Sequence, residues 1–135
     1  MKTHGSCLCG AVSFEVEGPL RPVIACHCRQ CRKTSGHHVA ATAAPKNAIS
    51  IQGADEIQWF AASDTARRAF CGTCGSHLFW DQHGSDMMSI FAGTLDGETG
   101  LVIHSHIFCA DKGDYYELDD AAPKYAGSLD SEPHP

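Results

Sequence analysis

Seven of the chain's eight cysteines fall into three short clusters: Cys7-Leu8-Cys9, Cys26-His27-Cys28-Arg29-Gln30-Cys31 and Cys71-Gly72-Thr73-Cys74. A chain with this spacing is constrained to fold so that its thiols meet. Two pairs and one triplet make two metal sites of different kinds. Four thiolates close a tetrahedral zinc, whereas three leave a coordination position free for chemistry.

Cys7 and Cys9 stand far in sequence from Cys71 and Cys74, so one zinc among them would clamp the first strand to the middle of the chain. Gly10 and Gly75 directly follow the pairs and Gly72 lies inside the second. They suit tight knuckles whose N–H groups point at sulfur. This reads as a structural site. The competing readings are a pair of disulfides, unligated thiols, or a redox C-x-x-C, although the βαβ context of a thioredoxin-like motif is missing.

Cys26, Cys28 and Cys31 sit where a strand runs into a turn. If residues 28–31 are helical, Cys28 and Cys31 share a face by their i, i+3 spacing. Three sulfurs from one loop can then reach one zinc, with its fourth position open to water or substrate. Three thiolates lower the Lewis acidity of the ion, which favours holding a thiolate over generating hydroxide. The competing reading is a second structural zinc completed by Cys109, His37, His38 or His106. The side chain of His27, inside the triplet, should point away from a metal held by its neighbours.

Charge narrows the function. From Ala110 to Pro135 seven acids face Lys112 and Lys124, so this stretch carries −5 of the total of −6. The remainder is almost neutral, without the clustered basic face that phosphate binding requires. No nucleic-acid partner is expected. Arg21, Arg29, Arg32 and Lys33 surround the triplet, either as ordinary solvated side chains or as a positive rim that draws in an anionic small molecule. No apolar run approaches the roughly 18 residues of a membrane span, so no membrane partner is expected either. No apolar segment precedes Cys7 to act as a signal peptide, and clustered cysteines suit metal ligation in a reducing cytoplasm, the compartment expected here.

Short apolar runs broken by glycine and polar turns predict an all-β domain of small sheets with little helix. Strands are expected over 11–16, 22–25, 39–44, 49–52, 57–61, 65–70, 77–80, 88–92 and 101–108. One or two helical turns are expected over 28–35, stopped by Gly36. Val12, Phe14, Val16, Val23, Leu78, Ile90 and Val102 are among the expected core residues, and Trp59, Trp80, Met87 and Met88 are expected to pack. Residues 1–126 read as a single domain and residues 127–135 as a flexible C-terminal tail.

Three stretches carry a family likeness: G-S-C-L-C-G-A-V-S-F-E-V (5–16), C-H-C-R-Q-C-R-K-T-S-G (26–36) and R-A-F-C-G-T-C-G-S-H-L-F (68–79). With His106-Ile107-Phe108, the block 111–118 and Pro123, they resemble the glutathione-dependent formaldehyde-activating enzymes, a family that includes the domain of centromere protein V. The resemblance spans roughly residues 3–126 and implies a β-tent of small antiparallel sheets meeting at a structural zinc. It implies two zinc ions per chain, a structural one on Cys7, Cys9, Cys71 and Cys74 and a catalytic one on Cys26, Cys28 and Cys31. The implied activity is that of a carbon–sulfur lyase, run toward S-(hydroxymethyl)glutathione from glutathione and formaldehyde. No glutathione-site motif can be assigned residue by residue. Arg29, Arg32, Lys33 and Arg68 are candidates to steer an anionic thiol, and His27, His37, His38 or Glu117 to transfer a proton. Against this stand a binding module in which both zincs are structural, and a redox-sensing or metal-buffering protein using the exposed triplet.

Overall fold

The computed structural model describes residues 1–134, and the chain divides into two compact units. The first comprises Met1–Arg21 and Thr42–Gly100; the second comprises Pro22–Ala41 and the chain from Leu101 onward. Ten strands occur in the order β1 (Lys2–Ser6), β2 (Ser13–Glu17), β3 (Val23–Cys26), β4 (Val39–Pro45), β5 (Ile49–Gln52), β6 (Ile57–Phe60), β7 (Ala66–Cys71), β8 (His77–Gln82), β9 (Met87–Phe91) and β10 (Ile103–Ile107). One α-helix, α1 (Arg29–Ser35), and four short 3-10 turns complete the described elements. The chain is all-β with little helix, as its short apolar runs predict. Among the described residues, no helix is long and apolar enough to cross a membrane.

In the first unit β1, β2 and β5 form an antiparallel sheet with β2 in the middle. Alternation in β2 sends Phe14 and Val16 inward, and the preceding Val12 is buried with them. The later part of β4 begins a second sheet in the order β4-β9-β8-β7-β6. Phe79 on β8 lies opposite Ala69 on one side and Ile90 on the other. It is fully buried, and its ring meets Phe14 edge-on at 5.1 Å. This aromatic contact ties the two sheets into one core, which also takes in Cys7 and Cys71.

Strict alternation would bury only one of Leu78 and Phe79, yet both are buried. The β7–β8 register slips between Ala69 and Phe70, leaving Leu78 without a partner opposite. Such a bulge turns two successive side chains to one side. Asp81, near the end of β8, is buried and paired with Lys46 Nζ at 2.7 Å and Arg67 Nε at 3.0 Å. The Arg67 guanidinium also lies 3.8 Å over the Trp59 ring.

In the second unit β3 pairs with the first residues of β4 antiparallel and with β10 parallel. This parallel pair adds a mixed element to the otherwise antiparallel sheets that were expected. The two strands are far apart in sequence, so no tight turn dictates their direction. β10 begins later than expected, and Val102 lies outside it with 70% of its surface exposed, so it is not a core residue. Met87, at the solvent end of β9, is exposed as well, while Met88 packs inside. β1 was not anticipated, because Lys2-Thr3-His4-Gly5-Ser6 has no apolar alternation and owes its strand to pairing with β2. In the segment expected as a tail, Ala126 N–H donates to Glu132 O and His134 N–H to Lys124 O; Pro135 lies outside the described residues.

Gly53, which closes the turn after β5, has φ +77°, and a Cβ there would sit 1.9 Å from Ala11 O. Gly53→Ala should destabilise the protein by about 2 kcal/mol or more, combining left-handed strain with a backbone clash. Urea unfolding would show this as a lower midpoint; an unchanged midpoint would contradict the turn geometry.

Candidate metal centres

Each unit carries one cysteine cluster. In the first unit Cys7 follows β1, Cys71 ends β7 and Cys74 lies in the tight turn beyond it. The turns aim backbone donors at sulfur: Val12 N–H reaches Cys7 Sγ at 3.3 Å, and Thr73 and Cys74 N–H reach Cys71 Sγ at 3.4 and 3.5 Å. Gly10 and Gly75, at φ +80° and +79°, allow the chain to turn back after each pair. The four Sγ atoms lie within 4.8 Å of one another, with Cys7–Cys9 at 3.6 Å and Cys9–Cys71 at 3.8 Å. Four sulfurs at 2.3 Å from a central zinc would be about 3.8 Å apart, so the spacing fits that ion.

The protonation pattern agrees. Bonds from the Ser76 hydroxyl and backbone hold Cys74 down at about 5. At Cys9 the Ala11 N–H favours the thiolate, but desolvation and the neighbouring sulfurs outweigh it and push the thiol up to about 12. Sulfurs this close share protons and cannot all ionise unless a cation joins them.

In the second unit Cys26 closes β3 opposite Val39 of β4 and Ile107 of β10. Cys28 caps α1, its sulfur accepting the Cys31 N–H at 3.3 Å, and Cys31 is buried in the first turn. Gly36 ends the helix at φ +86°, its N–H bonded to Arg32 O. The helical turn expected over 28–35 is therefore present and brings the triplet together, with its three Sγ atoms within 4.8 Å. Bonds from Cys26 and then Cys31 pull the Cys28 thiol down to about 2, while the contacts with Cys28 and Cys31 push Cys26 up. This donor set also suits a thiophilic cation.

Among the described residues, no fourth cysteine, histidine or carboxylate joins the triplet. Cys109 is buried separately, its N–H bonded to Tyr125 O. His37 Nδ1 is bonded to the Tyr115 hydroxyl at 2.9 Å. His106 uses both ring nitrogens elsewhere, Nδ1 toward His27 Nε2 at 2.9 Å and Nε2 toward Asp120 at 2.8 Å. His38 packs its ring against His27 and His37. The four candidates to cap the metal thus lie outside the cluster.

His27 is fully buried, its N–H bonded to Ile107 O and its Nδ1 to the Tyr116 hydroxyl. Burial first, then the neighbouring histidines and Lys112, lowers its basicity to about 3, so it is neutral at pH 7. Just beyond Ile107, Phe108 is forced to φ 55°, a conformation that costs a bulky residue about 1–3 kcal/mol. Backbone bonds to Gly127 O and from Asp111 N–H hold this turn beside the loop.

Of the proposed steering residues, Arg29 and Lys33 are exposed on α1 and Arg32 is tied to Asp111 O at 2.9 Å. Arg68 is buried within the first unit, on β7, which does not suit a rim. Glu117 is exposed. Tyr115, Tyr116 and Asp120 were not anticipated as site residues. Tyr115 and Tyr116 fall in the family-like block 111–118, but nothing there signalled their contacts to His37 and His27, which join residues some eighty or ninety positions apart.

The family model for "Glutathione-dependent formaldehyde-activating enzyme" matches residues 2–111. A Halomonas elongata protein, provisionally named a glutathione-dependent formaldehyde-activating enzyme, is 28% identical over 88% of this chain and 82% of its own length. A Schizosaccharomyces pombe protein named as an uncharacterized lyase is 28% identical over 85% of this chain and 84% of its own. A Rhodobacter sphaeroides protein of known crystal structure superposes with a TM-score of 0.59 at 27% identity, covering 74% of this chain and 92% of that one.

The two clusters should respond differently to mutation. Cys74→Ser should lower the melting temperature by about 10 °C or more, because it opens a clamp between distant segments. Cys28→Ser should spare the melting temperature within a few degrees and remove about one zinc per chain, counted by elemental analysis. Equal destabilisation by both would contradict the assignment.

Proposed function

The chain belongs to the glutathione-dependent formaldehyde-activating enzyme family, and from that premise we propose that it is a zinc enzyme of the carbon–sulfur lyase type acting on a small thiol–aldehyde adduct. The substrates proposed are a thiol such as glutathione and an aldehyde such as formaldehyde. In the forward direction a carbon–sulfur bond forms between thiol sulfur and carbonyl carbon, and the thiol proton ends on the new hydroxyl. Cys7, Cys9, Cys71 and Cys74 are assigned to the structural zinc, and Cys26, Cys28 and Cys31 to the catalytic one.

The observation that carries this reading is the three-sulfur cluster without a fourth protein ligand among the described residues. Zinc held there would supply a positive centre that stabilises a thiolate and polarises a carbonyl oxygen. The chain's own contribution is positional. β3, paired on both sides, fixes Cys26, while the first turn of α1 fixes Cys28 and Cys31. Rigid placement of the reacting groups is worth much of the barrier to a two-substrate step. Arg29 and Lys33, exposed beside these ligands, suit an anionic thiol and favour its approach.

The rival reading is a binding module that recruits a partner and uses both zincs structurally. Exchange of ¹³C-formaldehyde into its glutathione adduct, followed by NMR, separates the two. The enzyme should accelerate exchange at least about tenfold over the protein-free rate, and Cys28→Ser should return it to that rate. No acceleration across a panel of thiols and aldehydes would favour the binding module.

A further inference from the structure

We propose that Ser76 is a positioning residue for the four-cysteine metal site: its hydroxyl bridges the two cysteine turns and gives the Cys74 sulfur a hydrogen bond that helps retain the ion. The inference rests on the assignment of Cys7, Cys9, Cys71 and Cys74 to a metal ion and adds a residue that is not itself a ligand. It is independent of the lyase reading of the other cluster.

The two turns reach this site from distant parts of the sequence. Leu8, between Cys7 and Cys9, gives its N–H to Ser76 Oγ at 2.9 Å across 68 positions. The same oxygen lies 3.1 Å from Cys74 Sγ. Ser76 is also fixed by its backbone, because its carbonyl oxygen accepts the Cys71 N–H at 2.9 Å. Gly75 N–H returns to Cys71 O at 2.8 Å and tightens the turn that carries the serine. Ser76 therefore touches both halves of the cluster, the C-x-C turn through Leu8 and the C-x-x-C turn through Cys71 and Cys74.

The direction of the bond to sulfur follows from counting donors. A hydroxyl has one hydrogen and two lone pairs, and the Leu8 N–H takes up one of those pairs. Cys74 as a metal ligand is a thiolate and has no hydrogen to give. The Ser76 O–H therefore donates to Cys74 Sγ. A hydrogen bond to a charged acceptor is roughly twice as strong as one between neutral groups. The hydroxyl is held at its oxygen by Leu8 and at its hydrogen by sulfur, so it is not a free rotor.

The charge of the cluster gives this bond its value. Four thiolates outweigh one divalent cation, so the loaded site is an anion, and two of its sulfurs belong to residues only 2% and 0% exposed, Cys7 and Cys71. Each hydrogen aimed at sulfur spreads that charge. Val12 N–H does so at Cys7, and Thr73 and Cys74 N–H do so at Cys71. Those donors are backbone groups and do not depend on the side chains they carry. At Cys74 a side chain supplies the donor, so a substitution can remove it without touching a ligand. Partners that orient and stabilise a ligand in this way are worth about 10–100-fold in metal affinity.

Cadmium binds thiolates as zinc does, and ¹¹³Cd NMR of the cadmium-loaded full chain gives each site its own resonance, with the four-sulfur site the more deshielded. Ser76→Ala should move the four-sulfur resonance and leave the three-sulfur resonance in place. EDTA should strip the four-sulfur site of Ser76→Ala at an about tenfold lower concentration than in the wild type. Ser76→Thr, which keeps the hydroxyl, should restore both the position and the resistance. A four-sulfur resonance that neither moves nor becomes easier to strip in Ser76→Ala overturns the bridge. A change that Ser76→Thr fails to restore overturns it too, because packing and not the hydroxyl would then carry the effect. If the wild type shows no four-sulfur resonance, the metal assignment fails and the bridge falls with it. If that resonance is present and indifferent to Ser76→Ala, the assignment stands and only the role of Ser76 is lost.

Discussion

Sulfurs packed within touching distance repel one another as thiolates, and a cation among them removes that repulsion. The fold creates this situation twice, once in each unit. In the first unit the four donors come from segments more than sixty residues apart, so a bound ion would do the work of a cross-link. Cys7 and Cys71 stand inside the same apolar cluster as Phe14 and Phe79, so metal binding there would be coupled to packing of the core. In the second unit all three donors lie within six residues, so the fold gains little from an ion there. What that cluster offers an ion instead is three sulfurs with no fourth ligand among the described residues.

Much of this was legible from the residues alone. The cysteine spacing identified both clusters, because ligand geometry is a short-range property of C-x-C and C-x-x-C turns. Gly36 marked the end of α1 because only its left-handed conformation was needed there. β2 showed itself through Val12, Phe14 and Val16, whose alternation matches one buried face. Where alternation failed, tertiary pairing was the reason. β1 has no apolar pattern and exists because β2 offers it a partner. Leu78 and Phe79 are both buried because a bulge shifts the register. Val102 has an apolar side chain but falls outside its strand.

The part of the site that was not legible is the part made by long-range polar contacts. His27 was readable as a residue whose ring should point away from the triplet's metal, but not its partners. Its contacts to His106 and Tyr116 depend on β10 lying parallel to β3 and on the loop beyond it folding back. No periodicity or spacing signals such a contact. The family likeness covers this region too, yet a shared fold does not by itself assign chemistry to a side chain. That assignment has to come from donors, acceptors and burial around each side chain.

The central claim is that one cluster is closed and the other open, and zinc-edge X-ray absorption on the isolated protein tests it most directly. The account predicts two ions per chain with about 3.5 sulfurs each on average, at about 2.3 Å, and a lighter atom completing the shell of the loop site. An average of four sulfurs per ion, or a single ion per chain in freshly purified protein, would contradict it.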